Sequence, residues 1–273
     1  MTTPPTTKPV QTRHGTMLAI AGDQYITRSL ELYGEFSGAE WDVLEQIVKP
    51  GMTVVEVGAN IGAHAIPLAR RCFPGPLYLF EPQQRIFQVL CANLVLNGVR
   101  NAIAYPDAAG AEHGYVMLPP IDYAAAANFG GVSVQPYEEE AGGLRVRVTP
   151  LDSLALSACH LLQVDVEGFE AEVLRGAART IARFRPVLYV ENDRREKQAE
   201  LISLIASMGY RLYWHLPPLF RPENFNGCQE NVFGEIVSLN MLCLPQESGT
   251  VVKDIELIDP GNWSHPLRRT AKD

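Results

Sequence analysis

Carboxylates gather where short apolar runs end. The run Leu161-Leu162-Gln163-Val164 is followed by Asp165, Glu167 and Glu170, with Gly168 allowing a turn. One residue separates Asp165 from Glu167, so an extended backbone points both to the same side. Crowded carboxylates at the mouth of a cleft repel. Either one of them gains a raised pKa and acts as a general base, or a cation holds them together. A second run, 186–190, ends in Glu191-Asn192-Asp193. Asp165, Glu191 and Asn192 together offer hard oxygen ligands that suit Mg2+. Without a metal, Glu191 and Asn192 cap a helix or bind hydroxyl groups directly.

A glycine turn supplies the other half of the chemistry. Glu56-Val57-Gly58-Ala59-Asn60-Ile61-Gly62 follows a β-branched run. Gly58 and Gly62 let the backbone turn tightly and approach a ligand, and the next helix points N–H groups at it. Asn60 stands where the dinucleotide fingerprint needs glycine, and no Gly-Lys-Ser/Thr follows, which excludes a Walker loop. Glu81 closes the next apolar run, where a carboxylate accepts hydrogen bonds from a ribose diol. Asp107 follows the third run and is either an adenine contact or a turn residue. His64 is read as a packed histidine and His215 as a loop contact.

The elements that must position these residues alternate. Strands are expected at 53–57, 77–81, 101–106, 161–165, 186–191, 210–215 and 235–245, and helices at 40–49, 61–72, 85–98, 168–184 and 194–209. Strands alternating with helices indicate βαβ units and a parallel sheet, with ligands beyond the strands' carboxyl ends. The expected fold is α/β: a doubly wound, Rossmann-like, mostly parallel sheet with an antiparallel strand near the C-terminal edge. The expected organisation is a flexible tail (1–16), a helical cap (17–50), a main domain (51–245) with a lid-like insertion at about 110–148, and a C-terminal tail (246–273). Glu138-Glu139-Glu140 reads as a solvated loop.

Composition narrows the function classes. The 273 residues carry a formal net charge of -8, with 23 Lys and Arg against 31 Asp and Glu. No long basic run marks a nucleic-acid face, so a small-molecule partner is expected. No stretch reaches the roughly 18 apolar residues of a membrane span. Met1 to Val10 lacks the apolar segment of a signal peptide. The five cysteines are scattered without a C-x-x-C pair, so reduced thiols and a cytoplasmic location are expected. A homo-oligomer is left open.

The chain resembles the FkbM family of S-adenosylmethionine-dependent methyltransferases. The resemblance rests on VVEVGANIGAHAIPLA (54–69), LYLFEPQ (77–83), TPLDSL (149–154), LLQVDVEGFEAEVLRGA (161–177) and VLYVEND (187–193). Asn224-Phe225 followed by SLNMLCLP (238–245) adds to it. It implies a class I methyltransferase sheet and methyl transfer from S-adenosylmethionine, usually to a hydroxyl of a sugar or polyketide-like natural product. In that reading Gly58, Asn60 and Gly62 shape the methionine pocket, and Glu56 orients the turn or meets the methionine amine. Glu81 holds the ribose and Asp107 the adenine. Asp165 or Glu167 takes the hydroxyl proton or holds a metal. Three rivals remain: an amine acceptor, a nicotinamide oxidoreductase, and a binding module without chemistry.

Overall fold

Residues 6–136 and 143–267 are described in the computed structural model of this chain. The Glu138–Glu140 run and the basic residues Arg268, Arg269 and Lys272 fall outside them. The expected N-terminal tail is a hairpin from Thr7 onwards. Strand β1 (Thr7–Thr12) pairs antiparallel with β2 (Gly15–Ile20). Met17, Ala19 and Ile20 are buried, and the Asn93 side chain completes the pairing of Leu18, accepting from its N–H at 2.7 Å and donating to its carbonyl at 2.9 Å. The cap therefore combines this hairpin with helices α1 (Ile26–Tyr33) and α2 (Gly38–Ile47).

The next elements alternate as the pattern requires: β3 (Val54–Val57), α3 (Ala65–Cys72), β4 (Leu77–Phe80), α4 (Gln84–Leu96) and β5 (Ala102–Tyr105). Pro67 falls in the first turn of α3, where its missing N–H costs nothing. The insertion is a second, small sheet. Its strands β6 (Ala108–Ala109), β7 (Gly114–Leu118), β8 (Gln135–Pro136) and β9 (Leu144–Thr149) run in the order β6-β9-β7-β8.

The main sheet continues with β10 (Leu161–Val164), whose four residues are all buried. The single helix expected over 168–184 is two: α5 (Glu170–Arg175) and α6 (Ala178–Phe184). A side chain at Gly176 would overlap the Gly110 carbonyl oxygen, so the chain breaks where it meets the insertion. Asp152, from the TPLDSL segment, caps the second piece. Its carboxylate accepts from the N–H groups of Arg179 (2.9 Å) and Thr180 (2.8 Å) and from the Thr180 hydroxyl (2.8 Å).

Strands β11 (Val187–Glu191), β12 (Tyr210–His215), β13 (Asn240–Pro245) and β14 (Leu257–Ile258) and helix α7 (Gln198–Ser207) complete the fold. The main sheet runs β14-β12-β13-β11-β10-β3-β4-β5. Strands β11, β10, β3, β4 and β5 are mutually parallel, and β13 is antiparallel to both of its neighbours. The order reverses beside β3, the switch point where such sheets open a crevice. The expected C-terminal tail is anchored: β14 pairs with β12, and Trp263 packs on Trp214 with ring centroids 6.4 Å apart.

Candidate active site

One cleft lies beyond the carboxyl ends of β3, β4, β10 and β11, with an empty volume, open mouth included, of about 1310 Å³. Its floor begins at the glycine turn. Gly58 takes φ +89° and Gly62 φ +92°, conformations glycine adopts without a Cβ penalty. Asn60, at φ +47°, accepts from the Ile61 N–H with its own side chain at 2.8 Å. The Glu81 carboxylate accepts from the Asn60 N–H (3.0 Å) and the Gln83 N–H (2.8 Å). It therefore ties the glycine turn to the start of α4. Burial pushes Glu81 up to about 7 despite these bonds. Glu56 is buried beneath the turn, its Oε2 has no partner, and burial raises it well above the usual carboxylate range.

The strand-end carboxylates converge on the far side. Asp165, Glu167 and Glu191 each bring an oxygen within 4.8 Å of the others. Asp165 is exposed on the cleft, and the protein crowding its carboxyl lifts it to about 6. Asp165 and Glu191 are near neighbours, and Glu191 is the one raised further, by burial first and then by Asp165. Glu167 is lifted to about 8, by burial first and then by Asp165. It also pairs with the Arg194 guanidinium. Glu170 faces inward and accepts from the Gly168 N–H at 2.8 Å, which fixes the turn into α5.

Asn192 does not join this group. Its amide donates to the Met241 sulfur at 3.4 Å and its side chain is buried outside the cleft lining. The oxygen set expected as Asp165, Glu191 and Asn192 is therefore Asp165, Glu191 and Glu167. Asp107 lines the cleft but is already engaged. It accepts from Arg147 Nε (3.1 and 3.0 Å) and Nη2 (2.8 Å), and from the Thr149 hydroxyl (2.7 Å). Its Oδ1 keeps room for one more donor.

Residues 56–212 match the family model described as the Methyltransferase FkbM domain, more than half of the chain. The chain belongs to the FkbM methyltransferase family. No curated protein matches it. Among solved structures, this FkbM chain is similar to a methyltransferase FkbM from Methylobacillus flagellatus KT, at 16% identity and TM-score 0.47. That alignment covers 81% of this chain and 55% of the other, so the chain spans about half the length of that protein. Precorrin-6y C5,15-methyltransferase from Geobacter metallireducens GS-15 aligns at 9% identity and TM-score 0.46, covering 75% of this chain and 87% of that one. TYW2 of M. jannaschii, solved in complex with AdoMet, aligns at 13% identity and TM-score 0.42 over 89% and 87% of the two chains.

The FkbM cleft suits the cofactor of its family. S-adenosylmethionine carries an ammonium and a sulfonium, and the buried, unpartnered Glu56 Oε2 beside Gly58 offers an acceptor for such a donor. Sequence reasoning missed Glu40. It projects from α2 into the cleft, is buried, and is pushed up to about 7 by that burial. The pattern held a signal: Glu40 lies four residues before Leu44 and beside Trp41, a charge on the apolar face of its helix. His64 is packed against Phe36 with its Nδ1 3.9 Å from Glu40. Burial drives it down to about 4, so it is neutral. His215 lies on β12 rather than in a loop, where its Nδ1 meets the Tyr189 hydroxyl at 2.6 Å.

The insertion forms one wall. Gln24 N–H donates to the Ala127 carbonyl (3.0 Å), and Gln83 Nε2 donates to the Phe129 carbonyl (2.8 Å). The Ser133 hydroxyl donates to the Glu167 carbonyl at 2.8 Å. These bonds hold the insertion to the N-terminal cap and the start of α4 on one side and to the carboxylate turn on the other.

Proposed function

We propose that the protein methylates a hydroxyl oxygen of a small sugar or polyketide-like acceptor, with Asp165 as the general base. One observation carries this reading: Asp165 stands in the same cleft as the glycine turn, with its carboxyl lifted to about 6. A carboxylate so raised is ionised near neutral pH and more basic than an ordinary one. S-adenosylmethionine, when bound, supplies an electrophilic methyl group on a sulfonium. Gly58, Asn60 and Gly62 shape the floor for its methionine part, Glu56 faces the ammonium, Glu81 the ribose and Asp107 the adenine. Asp165 accepts the acceptor's proton, and the insertion excludes water. The unpaired cysteines agree with a reducing, cytoplasmic compartment.

A second reading places Mg2+ among Asp165, Glu167 and Glu191, supported by the approach of their oxygens within 4.8 Å. The pairing of Arg194 with Glu167 opposes it.

Calorimetry with S-adenosylhomocysteine, with and without magnesium, tests the cofactor pocket. Acceptor screening by methyl-transfer mass spectrometry then tests the chemistry. Micromolar nucleotide binding that is indifferent to magnesium, followed by an oxygen-linked methyl product, is expected. Failure to bind either nucleotide would remove the reading, and a nitrogen-linked product would replace the hydroxyl with an amine acceptor.

A further inference from the structure

The cleft has a one-sided charge pattern that its cofactor alone does not balance. Among the described residues no lysine or arginine lines it, while Glu40, Glu56, Asp165 and Glu191 do. Three other lining carboxylates have partners within the protein: Asp107 has Arg147, Glu81 has two backbone N–H groups, and Glu167 has Arg194. Among the described residues none of the first four has a lysine or arginine within ion-pair distance; Arg194 acts on Asp165 and Glu191 only from farther off, and Glu40 faces the neutral His64. Burial raises Glu40, Glu56 and Glu191, so they carry full charge only with a cation beside them, and a bound cofactor zwitterion with a sulfonium brings one net positive charge, enough for one of the four.

The unmet hydrogen-bonding capacity points the same way. Glu56 Oε2, Gln163 Oε1 and Glu191 Oε2 are buried atoms without partners, and all three residues line the cleft. Gln163 is 4% exposed and Glu56 3%. Gln163 lies level with Glu56 across the β3–β10 ladder and two residues before Asp165, so its side chain comes up beneath that carboxylate. With Glu56 and Glu191 ionised, all three atoms are acceptors. The ligand that completes them is rich in donors and poor in acceptors, which describes an ammonium group. A phosphate or carboxylate would meet only repulsion.

We propose, building on the methyltransferase reading, that the acceptor carries a protonated amine near its reacting hydroxyl, as in an amino sugar or amino alcohol. Glu191 and Gln163 hold the ammonium group, and Asp165 faces the hydroxyl. The observations favour this over a dication. Arg194 occupies Glu167, and Lys197 Nζ sits 2.6 Å from the Gly168 carbonyl, so two fixed positive charges stand beside the third metal ligand.

Saturation-transfer NMR on the full chain tests this, with trans-2-aminocyclohexanol as the probe and trans-1,2-cyclohexanediol as its neutral counterpart. Both are titrated with and without S-adenosylhomocysteine, and against wild type and Glu191→Gln. The amine is expected to bind about tenfold or more tightly than the diol in wild type, with the preference lost in Glu191→Gln. Equal binding of the two probes, or no amine binding at tens of millimolar, overturns the proposal. So does calorimetric binding of MgCl2 that depends on Glu191 and expels the amine. The wild-type preference decides the matter if the variant does not fold. An amine preference without nucleotide binding would leave the ammonium site standing and remove the methyltransferase reading instead.

Discussion

Gly58 and Asp165 are in contact across two strand ends: a side chain at Gly58 would overlap the Asp165 carbonyl oxygen. The Asp165 N–H donates to the Val57 carbonyl at 3.0 Å, so the glycine turn and the proposed base share one backbone junction. Gly58→Ala therefore meets both a steric block and a φ of +89°. The backbone strain alone costs about 1–3 kcal/mol. Urea unfolding is expected to show at least that loss, and calorimetry a lost affinity for S-adenosylhomocysteine. A variant with wild-type stability and affinity would refute the close approach.

Glu81 organises the turn before it meets any ligand. Glu81→Ala leaves the Asn60 and Gln83 N–H groups without their acceptor. Each buried unmet donor costs about 1–3 kcal/mol. The nucleotide affinity should fall by about tenfold to a hundredfold. Glu81→Gln, which retains an acceptor oxygen, should lose less. Equal losses in the two variants would mean that charge, not hydrogen bonding, is what the position supplies.

Asp165→Asn should lower turnover by about a hundredfold to ten-thousandfold while nucleotide affinity survives. The proposed base must be ionised. Its folded value is raised to about 6, so wild-type activity should climb as pH rises through that value. A flat profile between pH 5 and 7, or a variant with normal turnover, would take the base role from Asp165. These pH bounds bracket about one unit on either side of the lifted value.

Asp152 carries a stability prediction. Its hydrogen bonds to Arg179 and Thr180 hold it below the ordinary aspartate value of 3.8, outweighing its partial burial, which acts the other way. A lowered folded pKa stabilises above the unfolded value, and that contribution disappears as pH falls through the folded one. Asp152→Ala should cost about 0.5–2 kcal/mol at neutral pH. The gap to wild type should narrow below pH 3.8. A gap unchanged in acid would mean that shape rather than charge does the capping.

The strand ends were legible because apolar runs of four residues ending in a charge or a glycine have few other uses. Gly58, Glu81, Asp165 and Glu191 all stand at such ends and all line one cleft. Asn192 shows the limit of that logic. A residue directly after a strand can face either way, and the Met241 sulfur drew it inward. Glu40 shows another limit, since its place in the cleft depends on how α2 docks, which no local spacing states. The hairpin at 7–20 escaped notice because its Thr- and Pro-rich entry reads as loop, while its partner Asn93 lies more than seventy residues away. The break at Gly176 likewise depends on a tertiary neighbour, Gly110.

Asn93 is fully buried, and its amide bonds both Leu18 of the hairpin and the Ile61 carbonyl inside the glycine turn. The matched family region starts only at residue 56. Trimming the chain to that region would keep Gly58, Glu81, Asp165 and Glu191, yet it would leave a buried amide without its hairpin partner beside the glycine turn. The family match and the folding unit thus have different borders here, and domain swaps with relatives should be cut before Thr7 rather than at residue 56.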